Sequence, residues 1–384
     1  MRILMVAARC YPFVGGIETH IHEVGPRLVA RGHSVDVLTT DPSGKLPVAE
    51  NVRGMCVRRV PAWPRELDLY VAPQVYTAIR RGTWDLIHFQ GYSTFVVPIG
   101  LLAAVRAKAP FVLTFHSGGH SSRLRNAVRG TQRALLRPLL AKAARLIGVS
   151  EFEASFFSTK MDIPRERFVV IPNGAAMPAA SPGVKVDPCL IVSSGRLERY
   201  KGHHRLIAAM PGLIRRMPNA RLHIVGTGPY EGELRRLVSA LGLDDRVTIA
   251  GIPGSERQRM ADLLASAGLF VLLSDYEAHP VAVMEALSLR RPVLVSDTSG
   301  LRELATNGLC RALPLNASPD ETAAAMAEEL EAQREIPDLA LPDWDACAEA
   351  LSDVYRDVAG NPSTVGLPHD GALGLRSAIR ARGG

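Results

Sequence analysis

Short apolar runs alternate along most of this chain with stretches whose apolar positions recur every three or four residues. Residues 3–8 make the first run and predict a strand. Ile17, Ile21, Val24 and Leu28 follow at helical spacing, and Gly32 supplies a stop. Residues 35–39 read as the next strand, then 86–89, 111–115, 146–149 and 168–171. Ser150 with Glu153 makes a capping box for a helix running to Lys160. The densest turn-forming stretch runs from Pro172, Asn173 and Gly174 to Gly183, and a domain boundary is expected there. A second series has strands at 190–193, 221–225, 247–250, 269–273 and 293–296, with Ser255 and Gln258 predicting another capped helix. Trp344, Cys347, Leu351, Val354 and Tyr355 place a last helix over 343–358. From Asn361 periodicity is lost, and 361–384 reads as a disordered tail.

Strands alternating with helices build parallel sheets covered on both faces. The expected fold class is α/β, with two doubly wound domains at 1–175 and 184–342. Ligands in such sheets sit at the carboxyl ends of strands, and a cleft between the two domains is the expected site. The helix at 343–359 follows the second domain.

Composition narrows the class only modestly. The 384 residues exceed one typical core, and 47% hydrophobic with 22% charged residues is ordinary for a globular protein. No apolar run reaches membrane-spanning length. Five scattered cysteines without a CxxC read as reduced thiols in a cytoplasmic setting, and no zinc motif is present. The net charge of +7 suits nucleic acid, anionic lipid or an anionic substrate, or simply reflects arginine spread along the chain. One stretch stands out: between His116 and Arg145 there is no Asp or Glu, while Leu135, Leu136, Leu139 and Leu140 lie among Arg123, Arg125, Arg129, Arg133, Arg137, Lys142 and Arg145. It reads either as an ordinary basic surface helix or as a peripheral contact with anionic lipid over 123–145. Without interleaved aromatics it argues against single-stranded nucleic acid as a partner.

Five places carry candidate chemistry. Gly15 and Gly16 open the first helix and let backbone amides approach an anion, or simply make a strand-to-helix turn. His116 follows the 111–115 run into a glycine turn through Gly119, which puts a polar ring at the mouth of the sheet, either beside a sugar hydroxyl or the reaction centre or simply steadying the turn. His22, His33, His120, His203 and His204 read as surface residues. Gly195, Arg196 and Leu197, with Lys201 and Gly202, offer a fork for two phosphate oxygens and a mobile point charge, or else form part of a solvated charge run. Glu198 and Arg199 between them read as solvated. Gly226 and Gly228 end another strand, suiting either a base or ribose against backbone or a tight connection.

In residues 277–285, Pro280 suits a first helical turn. That leaves Glu277 in the loop before the helix and Glu285 about a turn and a half inside it. The amides of Val281 and Ala282 then face a phosphate, Glu285 a ribose and Glu277 a hydroxyl of the transferred sugar; the alternative is two solvated carboxylates, one near a favourable helix N-terminus. Cations for phosphates and carboxylates for hydroxyls together suit a sugar linked to a nucleoside diphosphate.

The ordered series Gly15-Gly16-Ile17-Glu18, Thr114-Phe115-His116, Ile171-Pro172-Asn173-Gly174, Gly195-Arg196-Leu197 with Lys201-Gly202, Val225-Gly226-Thr227-Gly228-Pro229 and Glu277 with Glu285, then residues 291–303, resembles the family-four retaining glycosyltransferases. The resemblance implies the GT-B fold, in which two Rossmann-like doubly wound domains face across a cleft. The first domain takes the acceptor and the second the nucleotide sugar. It also implies transfer with retention, usually without a metal or other cofactor, and a UDP-linked donor by family habit, with GDP open. Arg196 and Lys201 then bind the diphosphate, Glu285 the ribose, Glu277 the donor sugar and the Gly16 backbone the β-phosphate. His116 sits beside the donor sugar, and helix 343–359 crosses back to the first domain. The family usually has an aromatic residue and a glycine where His279 and Pro280 stand. Pro280 withdraws one backbone donor, and His279 bears on which sugar fits. The acceptor is a small molecule, a glycan or a lipid-linked sugar. A nucleotide-sugar epimerase and a membrane-surface binding protein with an idle cleft are the competing expectations.

Overall fold

The computed structural model describes residues 1–360 except 14, 65–70, 118–122, 333–335, 337, 338 and 340. The tail at 361–384, Gly119 and His120 lie outside the described residues. Two compact units are present. One contains Met1–Ser117, Leu124–Gly174 and the chain from Pro342; the other contains Ala175–Leu341.

The first unit holds β1 (Arg2–Ala7), α1 (Gly16–Ala30), β2 (Ser34–Asp41), β3 (Ala49–Val52), β4 (Met55–Pro61), α2 (Gln74–Arg81), β5 (Leu86–Gln90), α3 (Val96–Ala107), β6 (Phe111–Thr114), α4 (Arg123–Leu140), β7 (Arg145–Gly148), α5 (Glu151–Met161) and β8 (Phe168–Val170). Its eight strands lie in the order β3-β4-β2-β1-β5-β6-β7-β8. All neighbours are parallel except β3, which pairs antiparallel with β4. That hairpin is absent from the sequence expectation, because Glu50, Asn51 and Arg53 break the apolar pattern at an edge.

Central strands are buried on both faces. In β1, Leu4 and Val6 join one core while Ile3, Met5 and Ala7 join another, as a parallel sheet with two covers requires. The last helix of the chain, α12 (Trp344–Gly360), completes the second of these cores: its Trp344, Cys347, Leu351 and Tyr355 pack with Ile21, Val24 and Leu28 of α1. Gly174 is compulsory beside it, since a Cβ there would strike the backbone of Asp343 and Trp344.

The second unit runs β9 (Asp187–Ser194), α6 (His203–Arg216), β10 (Arg221–Val225), α7 (Glu231–Ala240), β11 (Val247–Ala250), α8 (Arg257–Ser266), β12 (Ala267–Leu272), α9 (Val281–Ser288), β13 (Val293–Ser296), α10 (Ser299–Thr306), β14 (Arg311–Leu313) and α11 (Pro319–Ala332); α12 (Trp344–Gly360) then belongs to the first unit. All six strands are parallel, in the order β11-β10-β9-β12-β13-β14.

Two capping expectations need correction. Ser150 does accept the Glu153 amide at 3.2 Å. The Glu153 carboxylate, however, returns to the Val149 amide at 2.8 Å rather than to Ser150. Helix α8 is capped at Glu256 with no side-chain bond. Gln258 instead spends its amide on Ala179 O, Ser181 Oγ and Asp262.

Candidate active site

In the second unit the strand order reverses between β9 and β12, so loops leaving the carboxyl ends of these two neighbours run side by side. Such a reversal point is where doubly wound sheets take their ligands. The loops are tied together. Asp275 N donates to Tyr200 O at 2.7 Å, and Arg205 donates to Leu273 O at 2.8 Å and to Asp275 at 2.6 Å. Gly202 has φ 76°, and the space a Cβ would take there is filled by Leu273 O.

The result is an ion pair: Lys201 Nζ lies 2.5 Å from Glu277 Oε1. Ser274 Oγ donates to the same oxygen at 2.7 Å. The Glu277 amide donates to Ser299 Oγ at 2.9 Å, and its carbonyl accepts from Gly300 N at 2.8 Å. Burial opposes the charge on Lys201, but the Glu277 carboxylate outweighs it and holds the ammonium pKa above its ordinary value.

Helix α9 starts beyond this loop. Pro280 is its N-cap rather than its first helical residue, and its carbonyl accepts from Val283 N at 3.1 Å and Met284 N at 3.2 Å. The amides of Val281 and Ala282 therefore come first, in the turn whose N–H groups have no partner within a helix. Glu285, the fifth residue of the helix, is buried and receives Arg257 Nη1 at 2.8 Å. Arg257 also reaches Ala176 O at 2.7 Å. His279 is 8% exposed, and neither ring nitrogen has a hydrogen-bond partner among the described residues. Burial alone lowers its pKa to about 4, so the ring is neutral.

Arg196 is exposed, as is Arg199, but Glu198 is buried, 3.8 Å from Arg196 Nε. The solvated reading of Glu198 is thus overturned: apolar Leu197 pulls its neighbour inward as it enters the core. His203 is also buried, with Ser193 Oγ 3.1 Å from Nδ1, and burial lowers its pKa to about 3. His22, His33 and His204 are half-buried. At Gly226 and Gly228 a Cβ would meet the carbonyls of Gly195 and Leu197. These glycines let the Arg196 loop cross close to the end of β10, where Leu197 N donates to Thr227 O at 2.9 Å. That is the tight-connection reading.

In the first unit the strand order reverses between β1 and β5. Gly15 and Gly16 follow β1, and the first-turn residue Glu18 is buried against Gly15 and paired with Arg9 at 3.2 Å. A Cβ at Gly16 would meet nothing. His116, two residues past β6, is half-buried with φ 44°. Its Nε2 lies 2.7 Å from Gln90 Oε1 at the end of β5. His20 of α1 stacks edge-on against it at 4.6 Å between ring centroids, and bonds Asn173 at 3.0 Å. Sequence reading named neither Gln90 nor His20, nor Ser274, Ser299 and Arg257. Each is a common polar residue whose relevance comes from a partner far along the chain.

Two family models match successive parts of the chain: Glycosyltransferase Family 4 over residues 14–176 and Glycosyl transferases group 1 over 179–339. With two parallel-sheet α/β units behind them, they define a glycosyltransferase of the GT-B fold, and the chain belongs to family four of these enzymes. It is 29% identical to the D-inositol 3-phosphate glycosyltransferase of Nocardiopsis dassonvillei, covering 89% of each chain. It is 27% identical to the GDP-mannose:cellobiosyl-diphosphopolyprenol alpha-mannosyltransferase of Xanthomonas oryzae pv. oryzae, over 94% of this chain and 98% of that one. The solved sucrose-phosphate synthase of Thermosynechococcus elongatus shares the fold, with a TM-score of 0.76 at 20% identity over 94% of this chain and 99% of that chain.

Proposed function

We propose that this glycosyltransferase moves a sugar from a nucleoside-diphosphate donor to an acceptor hydroxyl with retention at the anomeric carbon. The observation that carries the reading is the mostly buried Lys201–Glu277 pair at the β9/β12 reversal, with Glu285 on the adjoining helix. In this reading Arg196 and Lys201 hold the diphosphate, with the Gly16 backbone and the first amides of α9, at Val281 and Ala282. Glu285 takes the ribose hydroxyls. Glu277 and His116 take hydroxyls of the transferred sugar, and His279 lines the donor end of the helix.

The bond between the anomeric carbon and the diphosphate oxygen breaks, and the acceptor oxygen attacks from the same face. The departing diphosphate takes the acceptor's proton. Fixed positive charge at the leaving group is the main source of acceleration, and the two side chains supply it without a metal.

Family habit favours UDP, whereas the Xanthomonas relative is named for GDP-mannose. Calorimetry with UDP, GDP and their sugars decides between them, and a screen of glycan and lipid-linked acceptors by mass spectrometry follows. Binding of neither nucleotide, or donor turnover that ignores every acceptor and yields only epimerised donor, refutes the reading. The basic helix α4 suggests a lipid-linked acceptor met at an anionic membrane surface. No helix among the described residues is long and apolar enough to cross a membrane, so such contact is peripheral.

A further inference from the structure

Placing His116 beside the transferred sugar raises the question of which ring nitrogen meets it, and the buried groups behind the ring answer. The carboxamide nitrogen of Gln90 lies 3.2 Å and 3.3 Å from the two ring nitrogens of His88. Its oxygen is therefore the end turned to His116 Nε2, at 2.7 Å. A carbonyl oxygen only accepts, so Nε2 carries the proton and the lone pair of a neutral ring falls on Nδ1.

Gln90 is itself immobilised. It is 1% exposed, and His88 behind it is bonded through Nδ1 to the Tyr355 hydroxyl at 2.5 Å and through Nε2 to Thr114 Oγ1 at 2.8 Å. The backbone is gripped from the other side. Ser117 donates its amide and its hydroxyl to the Glu153 carboxylate, at 2.6 Å and 2.5 Å, which holds His116 in its left-handed conformation. The titratable groups around the ring are His20 from α1, His88 from β5, Tyr355 from α12 behind His88, and Glu153 from α5 through Ser117. Burial first, then the electrostatic influence of His20 and His88, keeps His116 well below the usual histidine range and so uncharged.

We propose that Gln90 is a positioning residue that holds His116 as the Nε2–H tautomer, so that Nδ1 accepts a hydrogen bond from a hydroxyl of the transferred sugar. The sugar contact rests on the glycosyl-transfer reading; the tautomer does not.

Nitrogen-15 NMR of histidine-labelled enzyme tests the tautomer directly, with His116 assigned by its loss in H116Q. The expected result is a proton on Nε2 in the wild type and a shift toward mixed tautomers in Gln90→Leu. A proton on Nδ1 in the wild type, or an unchanged ring in Q90L, overturns the proposal. In kinetics, Q90L is expected to lose about tenfold in kcat/KM, the worth of one hydrogen bond, and to cost nothing more in an H116A background. Additive losses would mean that Gln90 acts elsewhere. Gln90→Glu still accepts from Nε2–H, so it restores activity at high pH, but its charge favours the doubly protonated ring and adds an acid limb that the wild type lacks. A flat pH profile in Q90E counts against the mechanism. The NMR arm needs no substrate, so its failure is separable from failure of the transfer reading, which shows as absent binding of UDP and GDP.

Discussion

Lys201 and Glu277 stand 76 positions apart in the chain, yet their charged atoms are 2.5 Å apart in a mostly buried ion pair. A diphosphate that uses Lys201 must share it with Glu277. Removing either partner strands the other charge, so Lys201→Met should destabilise the protein toward the lower end of the roughly 3–5 kcal/mol seen for broken buried pairs. Glu277→Leu in the K201M background should recover most of that stability but no activity. The sign of the pH dependence follows from the raised lysine pKa. The pair's contribution is complete below the ordinary lysine value of 10.5 and fades only as the pH climbs through the higher folded value. Thermal melts of the three proteins from pH 7 to 11 check both points. An unchanged Tm in K201M would dismiss the pair as a stabilising feature.

His279 predicts the opposite slope. Its folded pKa of about 4 lies below the ordinary 6.5, so the unfolded chain binds the proton first as the pH falls. Stability is full above pH 6.5 and is lost between pH 6.5 and about 4, by on the order of 3 kcal/mol for this one group. His279→Phe removes that loss together with two unpartnered polar atoms. Its Tm should exceed that of the wild type, and by more at pH 5 than at pH 7.5. Parallel melting curves at the two pH values would contradict the assignment.

Arg257 and a ribose compete for one carboxylate in the proposed donor site. Glu285→Ala should weaken nucleoside-diphosphate binding by about tenfold to a hundredfold, the worth of hydrogen bonds to a charged group. A 2′,3′-dideoxy nucleotide should bind the wild type correspondingly weakly and be indifferent to E285A. Calorimetry with both nucleotides on both proteins closes the cycle. Equal sensitivity of the dideoxy ligand to E285A would remove Glu285 from the ribose.

Arg196 is exposed and stands 3.8 Å from the Glu198 carboxylate, a contact long and open enough that its loss should cost little stability. Arg196→Ala should melt like the wild type and turn over at least ~10²-fold more slowly, as expected for a lost fixed charge at a leaving group. Near-normal turnover refutes its role.

Contact with lipid is tested by sedimentation with vesicles containing anionic phospholipid. In α4, Leu135 is 72% exposed beside half-buried Arg133, whose guanidinium lies over Phe156. Arg129→Glu with Arg133→Glu should reduce binding, and salt should do the same in the wild type. Binding absent from the start, or indifferent to salt, leaves α4 as a plain surface helix.

Much of the architecture was legible without coordinates, because parallel strands buried on both faces write themselves as apolar runs. Strands β10, β11 and β13 fall where the apolar pattern predicts them to the residue. The β3–β4 hairpin did not show, since an edge strand faces solvent and carries polar residues. Burial of Glu198 and His203 was equally invisible: a charged side chain looks solvated until its neighbours are known. Arg257, Ser299, Gln90 and His20 are single polar residues with no local pattern, and only folding brings them to their partners.

Sequence alone determined the alternation of strand and helix, the tandem of two α/β units, and the loops in which Arg196, Lys201, Glu277 and Glu285 would be found. These follow from local periodicity and turn chemistry, which depend on near neighbours. Tertiary structure decided which of those groups meet: Lys201 with Glu277, Glu285 with Arg257, His116 with Gln90. Pairing across the β9/β12 and β5/β6 ladders sets the first and last of those distances, and a ladder joins segments whose separation along the chain carries no signal of its own.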